Sequence, residues 1–296
     1  MTVSTDHITF VGIGAIGLPM ALRLQQAGFH VTGVDPFPGP RKRAAAEGLP
    51  TEERPLSADS AGTVIVMVAD GNQLKQALDG DEQTGSPGLL SLMSPEAVLI
   101  IMSTVGPDAV RAAAERAEER GIGVLDVPVT GGIAGVLAGT LRMLTSGPRE
   151  VLESRRTVLE SLGTIIDCGE RIGDGQSFKT VNQLLCSVHV VAAAEALSLA
   201  ERLGLDQAKV LEAMTAGAAN SWMLGDRGPR MLQGVDVKVA SAVGILVKDT
   251  AIVAEVAEDL DIDLALLPVA ARKFGEAVEL GHLRRDDSQV MRTYEV

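Results

Sequence analysis

Aromatic residues and cysteines are scarce in this chain of 296 residues. It contains five phenylalanines, one tyrosine, one tryptophan and two cysteines, Cys168 and Cys186. So few aromatic rings argue against a stacking platform for bases or sugars, and two cysteines provide no disulfide framework. The four histidines, at positions 7, 30, 189 and 282, lack the spacing of metal ligands, so we expect no metal site.

Basic side chains are outnumbered by acidic ones. The chain has 26 lysines and arginines against 39 aspartates and glutamates, which gives a formal net charge of -13. A nucleic acid or an anionic membrane would repel such a chain. The sequence also shows no charged and then apolar leader, and no uninterrupted apolar run long enough to cross a bilayer. We therefore expect a cytoplasmic protein with no nucleic-acid partner and no membrane partner.

Apolar, β-rich runs alternate with helical stretches through the first half of the chain. The predicted strands are residues 7–11, 30–34, 63–69, 97–103, 122–127, 140–146 and 164–168. This alternation is typical of an α/β fold. We predict a Rossmann-type domain, a doubly wound parallel sheet with helices on both faces.

The pattern changes after Gly173. Residues 177–203 form a long run of good helix formers with Ser177 as a plausible N-cap, and no convincing strand follows. We predict two domains, residues 1–172 with the sheet and residues 173–296 all helical. The long, alanine-rich first helix of the second domain would be central and would pack against several helices, including those of a second subunit.

A glycine-rich segment follows the first predicted strand directly. Gly12, Gly14 and Gly17 form the pattern GxGxxG at the start of an amphipathic helix. Gly12 would permit a tight turn, Gly14 the approach of a pyrophosphate, and Gly17 close packing of helix on strand. Backbone N–H groups at the helix start, where Ala15 and Ile16 lie, would then bind the phosphates. The segment predicts a dinucleotide site.

An acidic residue selects the dinucleotide. Asp35 ends the second predicted strand, where its carboxylate would accept hydrogen bonds from ribose hydroxyls and repel a 2′-phosphate, so we expect NAD as cofactor. The basic run 41–43 would instead suit such a phosphate, although it is more typical of a solvated helix start. Ala69 and Asp70, at the end of strand 63–69, are candidates for the adenosine side, and Asp70 equally fits a helix cap.

Lys179 lies in the first turn of the long predicted helix. The helix end and an adjoining apolar cleft would favour its neutral form, so it could act as a base. Helical spacing places Gln183 within about 40° of Lys179 and Asn182 about 60° to one side, so the three could point into one pocket. On spacing alone, a solvated first-turn lysine is the more common case.

Four ordered blocks resemble the β-hydroxyacid dehydrogenase family, which includes 3-hydroxyisobutyrate dehydrogenase, tartronate semialdehyde reductase and the 6-phosphogluconate dehydrogenases. The likeness runs nearly end to end and implies oxidation of a small hydroxy acid by hydride transfer to NAD. The blocks are 12–20 (GxGxxGxPM in the family), 126–132 (DAPVSGG), 175–183 (GxxxKxxNN) and 248–249 (the KD of KDL).

The resemblance assigns roles to substrate-side residues. It implies that the segment Thr130, Gly131 and Gly132 holds the substrate carboxylate, that Lys179 exchanges the hydroxyl proton, and that Asn182 and Gln183 orient the substrate. Two residues depart from the family pattern. Gln183 replaces the second asparagine, and Thr130 replaces a serine.

The family resemblance also assigns residues to positions beside the nicotinamide. The family's Asp-x-Ser-Thr strand end reads Ile101 to Thr104 here, so the acid is lost while Thr104 keeps a hydroxyl expected beside the nicotinamide. Lys248 is expected near the same end of the cofactor. Its alternative is a helix-surface lysine paired with Asp249.

Within the family, residues 183–189, 192–196 and 220–223 resemble the L-threonate dehydrogenase branch. This implies a four-carbon sugar acid such as L-threonate as substrate, and a homodimer or homotetramer formed through the helical domain. Two alternatives stay open: a 3-hydroxyisobutyrate or tartronate semialdehyde enzyme, and a catalytically silent dinucleotide-binding scaffold.

Overall fold

The computed structural model describes residues 7–81 and 85–295. The chain divides into two compact units, the first ending at Lys179 and the second beginning at Thr180. In the described residues, the first unit combines a sheet with helices and the second is helical, which confirms the predicted fold class. The helix Asp174–Arg202 is continuous across this division.

The strands and helices of the first unit alternate, as the sequence predicted. The described strands are β1 (His7–Val11), β2 (His30–Val34), β3 (Thr51–Glu52), β4 (Thr63–Val66), β5 (Gly80–Asp81), β6 (Ser86–Pro87), β7 (Val98–Ile101), β8 (Gly123–Asp126), β9 (Val129–Thr130), β10 (Leu141–Ser146) and β11 (Gly163–Gly169). The helices are α1 (Gly17–Gln26), α2 (Pro38–Ala46), α3 (Gly71–Asp79), α4 (Leu89–Leu92), α5 (Pro107–Glu118), α6 (Gly132–Ala138) and α7 (Arg149–Glu160).

Nine of the described strands form one sheet. Their order is β11-β10-β8-β7-β4-β1-β2-β3, with β9 paired to β10. The neighbours from β3 to β8 are all parallel. By contrast, β10 joins β8 in antiparallel fashion and pairs with β11 in parallel. The strand order reverses between β1 and β4, and folds of this type bind ligands at such a point.

The central strands are apolar along their whole length because both faces of the sheet are covered. β4 and β7 are buried at every residue. Their successive side chains alternate between two buried clusters, one with Ile65 and Ile100 and the other with Val64 and Leu99. This double core fixes the register of the strands, and so the positions of the loops that follow them.

The observed boundaries correct several predicted ones. Strands β1 and β2 match the prediction, whereas the runs 63–69, 97–103 and 122–127 yield strands that end three, two and one residues earlier than predicted. The chain leaves the ladder there to form loops. The prediction of Ser177 as N-cap is wrong: the helix begins at Asp174, and the Ser177 hydroxyl donates to the Gly173 carbonyl oxygen at 2.7 Å.

The second unit contains helices in its described residues, and the only strand-like pairing there is an isolated bridge between Ala242 and Asp286. Its core includes the fully buried Val190, Ala194 and Phe274. The helices are α8 (Asp174–Arg202), α9 (Gln207–Thr215), α10 (Trp222–Met231), α11 (Val243–Asp259) and α12 (Leu267–Glu279), followed by the 3-10 helix Asp287–Tyr294.

Two neighbouring aspartates near the end of the chain are paired with arginines of α10. The Asp287 carboxylate lies 2.6 Å from Arg227 Nε, and Arg230 Nη2 donates to Asp286 at 2.6 Å. Both aspartates are 1% exposed. The pairs tie the start of the 3-10 helix near the end of the chain to α10.

Helix α8 is long and apolar enough to span a bilayer by length and composition alone. Half of its most apolar window is nevertheless buried inside the protein. Val190 and Ala194 are completely inaccessible to solvent. Core helices of soluble proteins also pass this test of length and composition, so one such helix is weak evidence for a membrane span.

Candidate active site

The carboxyl ends of five strands form one row across the sheet. The register places Val34, Val11, Val66, Ile101 and Asp126 side by side in that order. The chain leaves the sheet directly after these residues, so the loops that follow lie at one edge. Most site residues predicted for the first unit lie in these loops.

The glycine loop after β1 has the geometry that a pyrophosphate requires. Gly12 has φ +91°, and a Cβ there would overlap the Met67 carbonyl oxygen. A Cβ at Gly17 would overlap the Gly12 carbonyl oxygen, whereas one at Gly14 would meet no atom within 4 Å. Helix α1 begins after Ile16 with no side-chain cap on the N–H groups at its start. The open space at Gly14 and these N–H groups fit a bound phosphate.

Asp35 follows β2 and is 6% exposed. Its carboxylate accepts a hydrogen bond from the Phe37 N–H at 2.9 Å. Burial raises the pKa of this carboxyl, although backbone hydrogen bonds and nearby arginines oppose the rise. Arg41 pairs with Glu53 at 2.8 Å, and residues 42 and 43 are exposed on α2. The acid is thus held at the strand end, while the first basic side chain of the run has another partner.

Asp70 serves as a helix cap. Its carboxylate accepts a hydrogen bond from the Gln73 N–H at 2.8 Å at the start of α3. The Gln73 side chain in turn accepts from the Ala69 N–H at 3.1 Å. The helix cap is one of the two roles that the sequence suggested for Asp70, and the structure shows it.

The loop after β7 contains two hydroxyls in different environments. Ser103 is fully buried, and its hydroxyl accepts from the Val68 N–H at 2.8 Å. This bond links the loop after β7 to the one after β4. Thr104 is partly exposed at the same edge of the sheet.

The segment after β8 ends in a glycine pair. Thr130 closes β9, and Gly131 and Gly132 have φ +116° and +60°, the left-handed region that favours glycine. Helix α6 starts at Gly132, where a Cβ would meet no atom within 4 Å. Thr130 thus brings a hydroxyl to a glycine turn that has open space at Gly132, and hydroxyls and backbone N–H groups are suited to binding a small anion.

A buried polar group, which we call the Asp126–Gln176 hub, consists of Asp126, Ser146 and Gln176. Asp126 is fully buried and accepts from Ser146 Oγ at 3.1 Å, the Gly173 N–H at 3.1 Å and the Gln176 N–H at 3.0 Å. Burial raises the pKa of Asp126, and these hydrogen bonds oppose the rise. The carboxylate of β8 thereby caps helix α8.

The Gln176 side chain reaches a second loop. Its Nε2 donates to Asp126 Oδ1 and to the Ser103 carbonyl oxygen, both at 3.0 Å. Its Oε1 accepts from the Val105 N–H at 3.0 Å and the Gly106 N–H at 3.1 Å. These bonds bracket Thr104, so one side chain fixes the loop on both sides of that residue.

Lys179 follows Gln176 by three residues on α8 and is 7% exposed. This burial does not match the solvated lysine that spacing alone favoured. A Cβ at Gly175 would lie 2.5 Å from the Leu144 carbonyl oxygen and 2.9 Å from Asp126 Oδ2, so only glycine permits this approach of helix to strand. Sequence reasoning found Lys179 but gave no role to Gln176 or Asp126, although both lie inside blocks that resemble the family.

In the second unit, four predicted or neighbouring polar residues are connected. Asn182 Nδ2 donates to Gln183 Oε1 at 2.7 Å, and Gln183 Nε2 donates to Asp249. Lys248 Nζ lies 3.0 Å from Asp249 Oδ1, the pairing considered as its alternative role. Gln183 is 7% exposed and Asp249 2%. The extra methylene of Gln183, compared with the asparagine of the family, carries its amide to Asp249.

The fold, the glycine loop and the acid at the end of β2 define an oxidoreductase domain that binds a nicotinamide dinucleotide. Residues 7–173 match the family model described as the NAD binding domain of 6-phosphogluconate dehydrogenase. Residues 173–294 match the model described as NAD-binding of NADP-dependent 3-hydroxyisobutyrate dehydrogenase. The chain therefore belongs to the β-hydroxyacid dehydrogenase family, as the four sequence blocks predicted.

Known proteins resemble the chain over most of its length. It is 35% identical to an L-threonate dehydrogenase of Cupriavidus necator over 97% of this chain and 96% of that one. It is 34% identical to a 3-hydroxyisobutyrate dehydrogenase of Pseudomonas aeruginosa over 75% of this chain and 73% of that one. A crystal structure of 3-hydroxyisobutyrate dehydrogenase from Salmonella typhimurium superposes with a TM-score of 0.88 at 29% identity and covers 97% of this chain and 99% of that one.

Proposed function

We propose that this protein catalyses the NAD-dependent oxidation of a small hydroxy acid, with a four-carbon sugar acid such as L-threonate as substrate. The observation that carries the choice of substrate is the nearly full-length similarity to the L-threonate dehydrogenase of Cupriavidus necator.

The cofactor would bind along the carboxyl edge of the sheet. Its pyrophosphate would lie on the glycine loop that begins at Gly12, against the N–H groups of residues 14–17 and the open space beside Gly14. Asp35 would accept the ribose hydroxyls and exclude a 2′-phosphate, which makes NAD the expected cofactor. Ala69 and Asp70 would lie on the adenosine side, and Thr104 and Lys248 near the nicotinamide. When bound, the nicotinamide supplies the hydride acceptor.

Substrate binding would use the segment after β8. The Thr130 hydroxyl and the N–H groups of Gly131 and Gly132 would bind the carboxylate, and Asn182 and Gln183 would orient the remaining hydroxyls. Oxidation removes a hydride from carbon and a proton from the hydroxyl oxygen. The neutral Lys179 amine would take that proton and become an ammonium, and it would return the proton in the reverse direction.

A second candidate within the same family is a 3-hydroxyisobutyrate or tartronate semialdehyde enzyme. The similarity to 3-hydroxyisobutyrate dehydrogenases of Pseudomonas aeruginosa and Salmonella typhimurium favours it. These substrates carry fewer hydroxyls than a sugar acid, so they would leave the amides of Asn182 and Gln183 with fewer partners.

Turnover assays decide between the candidates. The purified protein is given NAD or NADP with L- and D-threonate, erythronates, glycerates and 3-hydroxyisobutyrate, and NADH or NADPH formation is followed. We expect NAD-dependent turnover of one four-carbon acid. Turnover of 3-hydroxyisobutyrate alone would select the second candidate, and NADH binding without turnover of any acid would favour a silent scaffold.

We also propose that the protein is a cytoplasmic homodimer or homotetramer formed through the helical unit. Large apolar side chains of α8 are exposed, among them Val181 at 62%, Leu185 at 51% and Leu199 at 58%. Contiguous exposed apolar surface is typical of an interface. Light scattering after size exclusion gives the subunit number, and a monomeric mass would refute this assignment.

A further inference from the structure

The Asp126–Gln176 hub joins three chain segments that the proposed function uses. Asp126 ends the strand that leads into Thr130, and its side chain binds the first turn of α8. The Gln176 amide binds the backbone on both sides of Thr104. Lys179 follows Gln176 by one turn of the same helix, on the same side.

The hub is specific for glutamine at position 176. Its amide nitrogen faces two acceptors, the Ser103 carbonyl oxygen and the Asp126 carboxylate, while its amide oxygen faces two N–H donors. A glutamate would place oxygen against oxygen on one side, and a methionine would fill the space without any of the four bonds. Gln176 is 1% exposed, so these bonds are shielded from bulk solvent.

Stability alone does not account for this arrangement. A buried carboxylate and a buried amide are costly to desolvate, and apolar groups of similar size often stabilise a core equally well. A fully bonded polar group does, however, allow one geometry only, because each donor and acceptor has a fixed direction. Placement of the attached segments is therefore the better explanation for the hub.

We propose that Gln176 and Asp126 are positioning residues, which hold the Lys179 turn, the Thr104 loop and the strand end before Thr130 in one fixed arrangement for proton and hydride transfer. The proposal rests on the proposed function of Lys179. It adds that proton transfer by Lys179 reaches its full rate only while the hub is intact.

The test compares Gln176→Met and Gln176→Glu with the matched control Gln289→Met in the full-length protein. Gln289 is also a fully buried glutamine, and it lies in the second unit, where its Nε2 donates to the Gly234 carbonyl oxygen at 3.0 Å. Each variant is measured for thermal unfolding, for NADH affinity by fluorescence, and for kcat and KM over a range of pH with the acid that the wild type oxidises.

We expect Gln176→Met to lower kcat about 10- to 100-fold, as small displacements of catalytic groups do. NADH affinity should change by less than about threefold, because the Gln176 side chain bonds to residues 103–106 and to Asp126 and not to the glycine loop proposed for the pyrophosphate. The limb of the pH profile that reports the lysine should shift, and Gln176→Glu should lose more activity than Gln176→Met. Gln289→Met should lose stability without a change in kcat or in the pH profile.

A Gln176→Met variant that unfolds more easily but keeps the wild-type kcat and pH profile would overturn the proposal. If neither Gln176 variant folds, kcat and NADH affinity are measured for Ser146→Ala instead, because this substitution removes one hydrogen-bond donor to Asp126. A loss of about threefold or more in kcat at unchanged NADH affinity would support the proposal, and an unchanged kcat would refute it.

Failure of the proposed function can be told apart from failure of the hub. If the wild type oxidises none of the acids, hydrogen exchange read by mass spectrometry replaces the kinetic test. Peptides covering residues 103–106 and 174–179 should exchange faster in Gln176→Met than in Gln289→Met. Equal exchange in the two variants would overturn the positioning role whatever the substrate is.

Discussion

At the scale of single residues, burial distinguishes Lys179 from an ordinary lysine at a helix start. Only 7% of it is exposed, and an ammonium is costly to remove from water. Buried lysines are therefore uncommon away from functional or paired positions. The burial of Lys179 is consistent with the catalytic role that we propose for it.

Replacement of Lys179 tests that interpretation. Lys179→Met should lower kcat about 10²- to 10⁴-fold, the usual contribution of a positioned acid or base, and should leave NADH affinity nearly unchanged. The control is Lys209→Met, which changes an 83% exposed lysine and should leave kcat intact. Steady-state kinetics and NADH titration measure both. Substantial residual turnover in Lys179→Met would remove the lysine from the mechanism.

Asp35 allows a second test at this scale. Asp35→Ser keeps a hydrogen-bond acceptor near the Phe37 N–H but removes the charge that would repel a 2′-phosphate. The ratio of kcat/KM with NAD to that with NADP should fall about 10- to 100-fold, the value of a hydrogen bond to a charged group. Wild-type protein that uses NAD and NADP equally well would contradict the assignment.

Sequence reasoning reached some residues of the candidate site and not others for a physical reason. Gly12, Gly17 and Asp35 act next to their own strands, so local spacing reveals them. Gln176 and Asp126 act on each other across 50 residues of chain. No local pattern contains that pairing, and only the folded sheet brings the strand end to the helix start.

At the scale of secondary-structure elements, the contrast between local sequence signals and long-range contacts explains which boundaries were predicted correctly and which were not. β1 and β2 were predicted to the residue, because Gly12 directly follows the first strand, and Gly28 and Asp35 lie close to the two ends of the second. The start of α8 was wrongly placed at Ser177, because the group that caps the helix is the carboxylate of Asp126, which lies far away in the chain at the end of β8. Strands β4 and β7 were predicted too long, since apolar sequence continues into loops that leave the ladder.

The turn from β1 into α1 offers a matched pair of substitutions. Gly17→Ala should destabilise the protein by about 1–3 kcal/mol, because its Cβ would overlap the Gly12 carbonyl oxygen. Gly14→Ala should leave stability nearly unchanged, since its Cβ would enter open space, yet it should weaken NADH binding about tenfold or more. Urea unfolding and NADH titration separate the two effects. Wild-type affinity in Gly14→Ala would show that the phosphate lies elsewhere.

At the scale of the whole molecule, the buried Asp287 makes stability depend on pH. Burial raises the pKa of Asp287 to about 6, and the charge of Arg227 only partly opposes this. A carboxyl whose pKa is higher in the folded protein than in the unfolded chain stabilises the fold while protonated, and that stability is lost as the pH rises through about 6.

Urea unfolding at a series of pH values measures the effect. Between pH 4 and pH 7, the wild type should lose roughly 3 kcal/mol of unfolding free energy relative to Asp287→Asn. The neighbouring Asp286 provides a control of opposite sign. Burial acts to raise its pKa, but hydrogen bonds from Arg230, the Ala240 N–H and Ser288 lower it overall. The unfolding free energy of the wild type should therefore rise relative to that of Asp286→Asn as the pH rises. Parallel curves of unfolding free energy against pH for all three proteins would contradict both assignments.

The candidate site lies at the carboxyl ends of the parallel strands. We place no site residue at the opposite edge, which is formed by their amino ends. The turns that enter β2 and β3 contain Gly28 and Gly48, where a Cβ would meet no atom within 4 Å. Lengthening such a turn alters neither the register of the ladder nor the loops that follow it. The amino edge is therefore the natural place to attach a label, a tether or an inserted domain, and the molecule can be elaborated there while its chemistry at the other edge stays as it is.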